Sequence, residues 1–225
     1  MKSVLALTFC VYTALLAACG GGASTSVSSG VVTTVAGLNL SGTAATGMAL
    51  SGAPVNVKCR TGSSTTTTAS DGGFALTITG GALPCVLQII NPADGKKLHA
   101  ITINAGTINL TPLTDMLSTR LMRGDMRTIF ASPDAAAIEK TVTAAAIKQA
   151  QTDVSLTLLN FIDVSKLPDF YSTPLKAATA ANTGGGDVQD KLLDALKAKM
   201  SVAQQTQALE LLVRAIAVGQ PLDNP

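Results

Sequence analysis

From Val31 to Leu110 the chain alternates apolar and polar residues with a period of two. Val55, Val57 and Cys59 share one face of such a run, as do Phe74, Leu76 and Ile78, and again Cys85, Leu87 and Ile89. Side chains two residues apart lie on the same face of a strand, so each triplet marks an inward face. Asp71-Gly72 and Asp94-Gly95 fall between these runs. Glycine accepts positive φ without steric cost, which makes both pairs turns. Thr65 to Thr68 suits an exposed strand. About seven short strands follow from this pattern, enough for a sandwich.

The spacing changes at Thr111. Thr111-Pro112 reads as an N-cap followed by proline at the first helical position. Leu113, Met116, Leu117 and Leu121 then recur at helical intervals. Ser132-Pro133-Asp134 opens a second helix with Ile138, Val142 and Ala145 on its apolar face, extending to Leu158 and Ile162. Pro168 to Pro174 breaks the pattern, and Asn182 to Gly186 is a loop. Asp187 starts a third helix through Val188, Leu192, Ala195 and Leu196. Ser201 and Gln204 form a capping box for a fourth, with Val202, Leu209, Val213 and Ile216 on one side. The expected fold class is α+β: a seven-stranded antiparallel β-sandwich over residues 31–110, then an α-helical region of about four helices over 111–225.

The first 18 residues are of a different kind. Lys2 is their only charge, and Val4 to Ala18 is almost wholly apolar. That run fits a secretory leader and falls short of the roughly 20 residues a bilayer span needs. It ends in Leu16-Ala17-Ala18-Cys19, which resembles the lipobox of bacterial lipoproteins. The resemblance implies cleavage before Cys19, lipid on its thiol and new amine, and attachment to a membrane through that lipid. Several acyl chains on one residue hold a protein far better than one. No Asp follows Cys19, which by the sorting rule of enterobacterial lipoproteins implies the outer membrane. Residues 19–30 then form the lipidated cysteine and a Gly- and Ser-rich tether.

Composition narrows the remaining choices. Sixteen Lys and Arg face 14 Asp and Glu, and Lys2 belongs to the leader. A near-neutral chain gives no electrostatic footprint for nucleic acid. Aromatic residues are 3% of the chain, with no Trp, which argues against stacking platforms for sugars or bases. Of four cysteines, Cys10 leaves with the leader and Cys19 carries lipid. Cys59 and Cys85 remain as an even pair in an exported chain, where a disulfide is expected. Both sit among inward-facing residues, so the bridge is expected to tie two strands across a core.

The β-region carries a second resemblance. Gly52-Ala53-Pro54-Val55, followed by Asp71-Gly72-Gly73-Phe74, is similar to the carboxypeptidase-regulatory or transthyretin-like sandwich. That group implies a fold and no single activity. Pro84-Cys85 and Asn109-Leu110-Thr111-Pro112-Leu113-Thr114 also resemble segments of uncharacterised proteobacterial lipoproteins, from which no activity carries over.

Candidate chemistry is sparse. His99, the single histidine, lies on the strand face of Ile101 and Ile103 and reads as a core-margin residue. Ser51 lacks the first glycine of a nucleophile elbow. Asp71 lacks the preceding ligands of a calcium loop. Gly184-Gly185-Gly186 lacks the Lys-Ser/Thr of a phosphate loop. Lys58 and Asn109 are formal partners for an isopeptide bond, but no Glu lies between Val31 and Leu110 to assist it. Arg123-Gly124-Asp125 is explained by a helix ending in glycine. No catalytic residue, metal ligand or cofactor is assigned. The expected function is a non-catalytic, lipid-anchored envelope module that binds a protein partner or serves a structural role. The alternative is an envelope enzyme or small-ligand carrier with a pocket between strands and helices, near His99, Asp115 or Tyr171.

Overall fold

The computed structural model describes residues 37–164 and 169–218. The leader, Cys19 and the tether lie outside them. Within them the chain is a mixed structure of seven strands in two sheets and six helices. The strands are β1 (Gly37–Thr43), β2 (Pro54–Thr61), β3 (Ser63–Thr67), β4 (Gly73–Thr79), β5 (Ala82–Ile90), β6 (Lys97–Thr102) and β7 (Gly106–Thr107). One sheet has the order β4-β1-β7 and the other β3-β2-β5-β6. Both expected turns are present. Gly72 and Gly95 take φ of 78° and 70°, and the Gly73 amide donates to Asp71 Oδ1 at 2.9 Å.

Two expectations about the strands need correction. The strands are not all antiparallel, because β7 runs parallel to β1, Leu40 facing Gly106 and Ser41 facing Thr107. Gly42 permits this approach: the Ile108 carbonyl lies where a Cβ would be. The Cys59–Cys85 disulfide is present, but it lies within one sheet. β2 and β5 are hydrogen-bonded neighbours with Cys59 directly opposite Cys85. A period of two tells which residues share a face; it does not tell which strands are adjacent.

β5 is buried on both faces, from Pro84 through Ile89. Alternation alone assigns Cys85, Leu87 and Ile89 inward, yet Val86 and Gln88 are covered as well. The helices cover them. α1 spans Pro112–Met122, α2 Met126–Ala131, α3 Ala135–Thr141, α4 Ala144–Leu158, α5 Val188–Lys199 and α6 Val202–Val218. A single cluster of buried residues joins Leu40, Phe74 and Leu87 of the strands to Leu117, Val154 and Leu212 of the helices.

The helices number six among the described residues, where about four were expected. α1 ends at Arg123 in the left-handed conformation (φ 55°), and Asp125 caps a separate α2 through the Arg127 amide at 2.9 Å. The next expected helix is also divided. Thr141-Val142-Thr143 is β-branched throughout, and Thr143 caps α4 by accepting from the Ala146 amide. That side-chain bond competes with continuation of α3. The expected caps at Thr111, Asp187 and Ser201 are present, but the helix expected to open at Ser132-Pro133 is capped two residues later by Asp134, and Ser132 instead ends α2. Two helix faces are rotated from expectation. α5 buries Leu193 and Leu196 and leaves Val188 exposed, and α6 buries Ala208 and Leu212 and leaves Val202 exposed. No helix among the described residues is long and apolar enough to cross a membrane.

Candidate functional site

A cleft of about 780 Å³ opens between the start of β6, α1, the α1–α2 turn and α6. Its volume lies within the range of small-molecule sites. Leu98, Met116, Met126, Leu209 and Val213 supply apolar lining. Lys96, Lys97, Asp125, Arg127, Glu210 and Arg214 supply charge around it.

His99 and Asp115 line this cleft together. β6 and α1 position them. The Thr111 capping box starts α1 so that Asp115 falls in its first turn, beside the outer edge of β6. One oxygen of Asp115, Oδ1, then accepts from the backbone N–H of His99 at 2.8 Å and lies 2.9 Å from its Nδ1. The opposite nitrogen, Nε2, is 3.0 Å from the Gln88 amide nitrogen on β5. An amide nitrogen only donates, so Nε2 accepts and the ring hydrogen sits on Nδ1, where it serves Asp115. Both ring nitrogens are therefore occupied, and His99 is only 2% exposed. The imidazole works as a strut between β5 and α1. No serine or cysteine lines the cleft among the described residues.

Gln88 went unnoticed in the sequence, although a signal existed. It is the one polar residue in Val86-Leu87-Gln88-Ile89, and counting back from the Asp94-Gly95 turn sets it opposite His99. Tyr171 does not join the cleft. It is buried behind β6, donates to the Ile101 carbonyl at 2.6 Å, and burial pushes its hydroxyl up to about 12.

Of the other candidates, Asp125 lines the cleft, while Lys58 and Asn109 do not. Lys58 donates to the Ala131 carbonyl at 2.9 Å and sits 4.9 Å over the Phe130 ring. Asn109 is buried and donates to the Thr173 carbonyl at 2.6 Å, so these two residues have separate partners. Asp125 is engaged by Arg127, whose guanidinium holds its carboxyl below the usual value. No group of three or more His, Cys, Asp or Glu able to hold a metal occurs among the described residues.

One buried acid stands apart. Asp190, in the first turn of α5, is 1% exposed. Its Oδ2 accepts from the Ala178 amide at 2.9 Å, while Oδ1 has no hydrogen-bond partner. Burial, with Asp194 and Asp187 nearby, raises its pKa from 3.8.

Compared with known protein families, with curated proteins and with solved structures, the chain matches none.

Proposed function

We propose that the chain is a lipid-anchored, non-catalytic envelope protein that binds through the cleft between β6, α1 and α6. The observation that carries the binding part is the cleft with its histidine already committed. Apolar residues and unreactive charges remain for a ligand, and His99 holds the walls in place. The anchor part rests on Leu16-Ala17-Ala18-Cys19 and places lipid on Cys19, with the outer membrane as the destination. The two sheets, one of three strands and one of four, contribute to a common buried cluster and support a transthyretin-like sandwich as the underlying architecture.

Two measurements test the reading. Cells expressing the chain are labelled with palmitate and fractionated, comparing wild type with Cys19→Ala. Label and membrane fractionation are expected for the wild type and lost in the variant; an unlabelled wild type removes the anchor. A photo-crosslinking residue at Gln205, on the α6 wall, is expected to capture a specific envelope component. Capture equal to that from exposed Lys148 removes the cleft as the binding surface. The small-ligand carrier is the reading of the cleft that its volume and its apolar lining residues favour.

A further inference from the structure

The outer edge of β6 is covered by α1 at two of three positions. In an antiparallel ladder alternate residues turn their N–H groups away from the neighbouring strand. On β6 these are Lys97, His99 and Ile101, opposite Ile90, Gln88 and Val86 of β5. The Ile101 amide donates to Ser118 Oγ at 3.2 Å, and the His99 amide to Asp115 Oδ1 at 2.8 Å. Lys97 comes next along the edge, toward the start of α1 at Pro112, and it lines the cleft. Its amide has no partner among the described residues.

Asp115 demonstrates what this edge binds. A single carboxylate oxygen takes both the backbone N–H and the side-chain N–H of His99. Lys97 repeats that pair of donors, an outward amide and a cationic side chain, with no carboxylate on them. The other cations of the cleft are committed: Lys96 to Asp94 at 3.6 Å, Arg127 to Asp125 at 3.0 Å, and Arg214 to Glu210 at 3.8 Å. Beyond Lys97 the lining is mixed: Leu98, Met116, Leu209 and Val213 supply an apolar path, with Gln205 and Thr206 beside it. Methionine adapts to varied apolar partners. From Val202 to Val213 the α6 wall runs about 17 Å at 1.5 Å per residue, the reach of a medium-length acyl chain.

We propose that the cleft takes a single-chain carboxylate amphiphile, with its carboxylate on the amide and ammonium of Lys97 and its chain along α6. This rests on the binding reading above and names its ligand class. The test uses the full-length Cys19→Ser chain, so that no acyl chain of its own competes, and titrates it calorimetrically with laurate and with dodecanol. Laurate is expected to bind at least tenfold more tightly than dodecanol. Lys97→Gln should bring laurate down to the dodecanol level, while Lys148→Gln, on the exposed face of α4, should leave the difference intact. Equal affinities in the parent chain, or a preference for laurate that survives Lys97→Gln, overturn the carboxylate assignment and leave the cleft standing as a binding site. If neither probe binds while Gln205 still crosslinks to an envelope protein, the amphiphile is wrong and the binding reading holds. If neither probe binds and Gln205 captures nothing, both fall.

Discussion

Three side chains, buried Gln88 and His99 and half-buried Asp115, join β5, β6 and α1 by hydrogen bonds. Removing one end of such a relay strands the others. Asp115→Ala leaves two buried donors of His99 unpaired, and an unsatisfied buried group costs about 1–3 kcal/mol. Urea unfolding should therefore show a loss of about 2–4 kcal/mol for that variant, non-additive with Gln88→Leu because the two share one ring. Asp190 gives a prediction of opposite sign. Its folded pKa lies above the unfolded value of 3.8. Its contribution is therefore fully present below pH 3.8 and is lost as pH rises through the raised folded value. Asp190→Asn keeps an acceptor for the Ala178 amide and removes the buried charge. Melting temperatures from pH 4 to pH 8 should fall for wild type relative to Asp190→Asn, and a constant difference across that range would contradict the assignment. At this scale the sequence announces positions better than partners. His99 is conspicuous as the single histidine, yet its role depends on Gln88, which a strand pattern registers only as a blemish in an apolar run.

Caps and turns, by contrast, are local chemistry and could be read from the chain directly. Thr111-Pro112, Asp187, Asp71-Gly72 and Ser201 with Gln204 all behave as their residue types require, whereas Ser132-Pro133 yields the cap to Asp134. What escaped was competition between local signals, as where Thr143 caps α4 and thereby ends α3. Strand adjacency escaped for a different reason, since Cys59 and Cys85 carry the same alternation whether they face across a core or sit side by side. The disulfide spans 26 residues and encloses β3 and β4. Replacing both cysteines by alanine should cost about 3–4 kcal/mol on the chain-entropy argument, read as a lower urea midpoint that reductant does not lower further. Gly42→Ala is a second test at this level. A methyl group there meets the Ile108 carbonyl, so β1 and β7 must separate, with an expected loss of about 1–3 kcal/mol. Amide exchange should show the damage first at Ile108 and Leu110, whose N–H groups bond to Ser41 and Thr43.

In the whole molecule the change from strands to helices at Thr111 is a change of element type within one core. Leu113 and Leu117 of α1 are buried in the cluster that holds Leu87 and Ile89. Periodicity could place that transition but not the packing, because it reports which face is apolar and not what covers it. The rotated faces of α5 and α6 follow from the same limit. α6 lies beside the cleft, so Leu209 and Val213 face a partly open space instead of solid core. Val213→Asp should accordingly weaken binding of a cleft ligand at least tenfold while shifting the urea midpoint little, whereas Leu212→Asp, fully buried, should unfold the chain.

The side chains of α1 along β6 have one more consequence. The lipid anchor proposed above would confine the chain to a plane, where molecules would meet far more often than in bulk at equal copy number. A bare strand edge is a template for another chain, and crowding on a surface would favour neighbour-to-neighbour pairing. Asp115 and Ser118 occupy the two amides through which a second strand would add, and the third position carries Lys97, a residue that discourages such addition. A helix that follows the sheet in sequence thus doubles as protection against self-assembly.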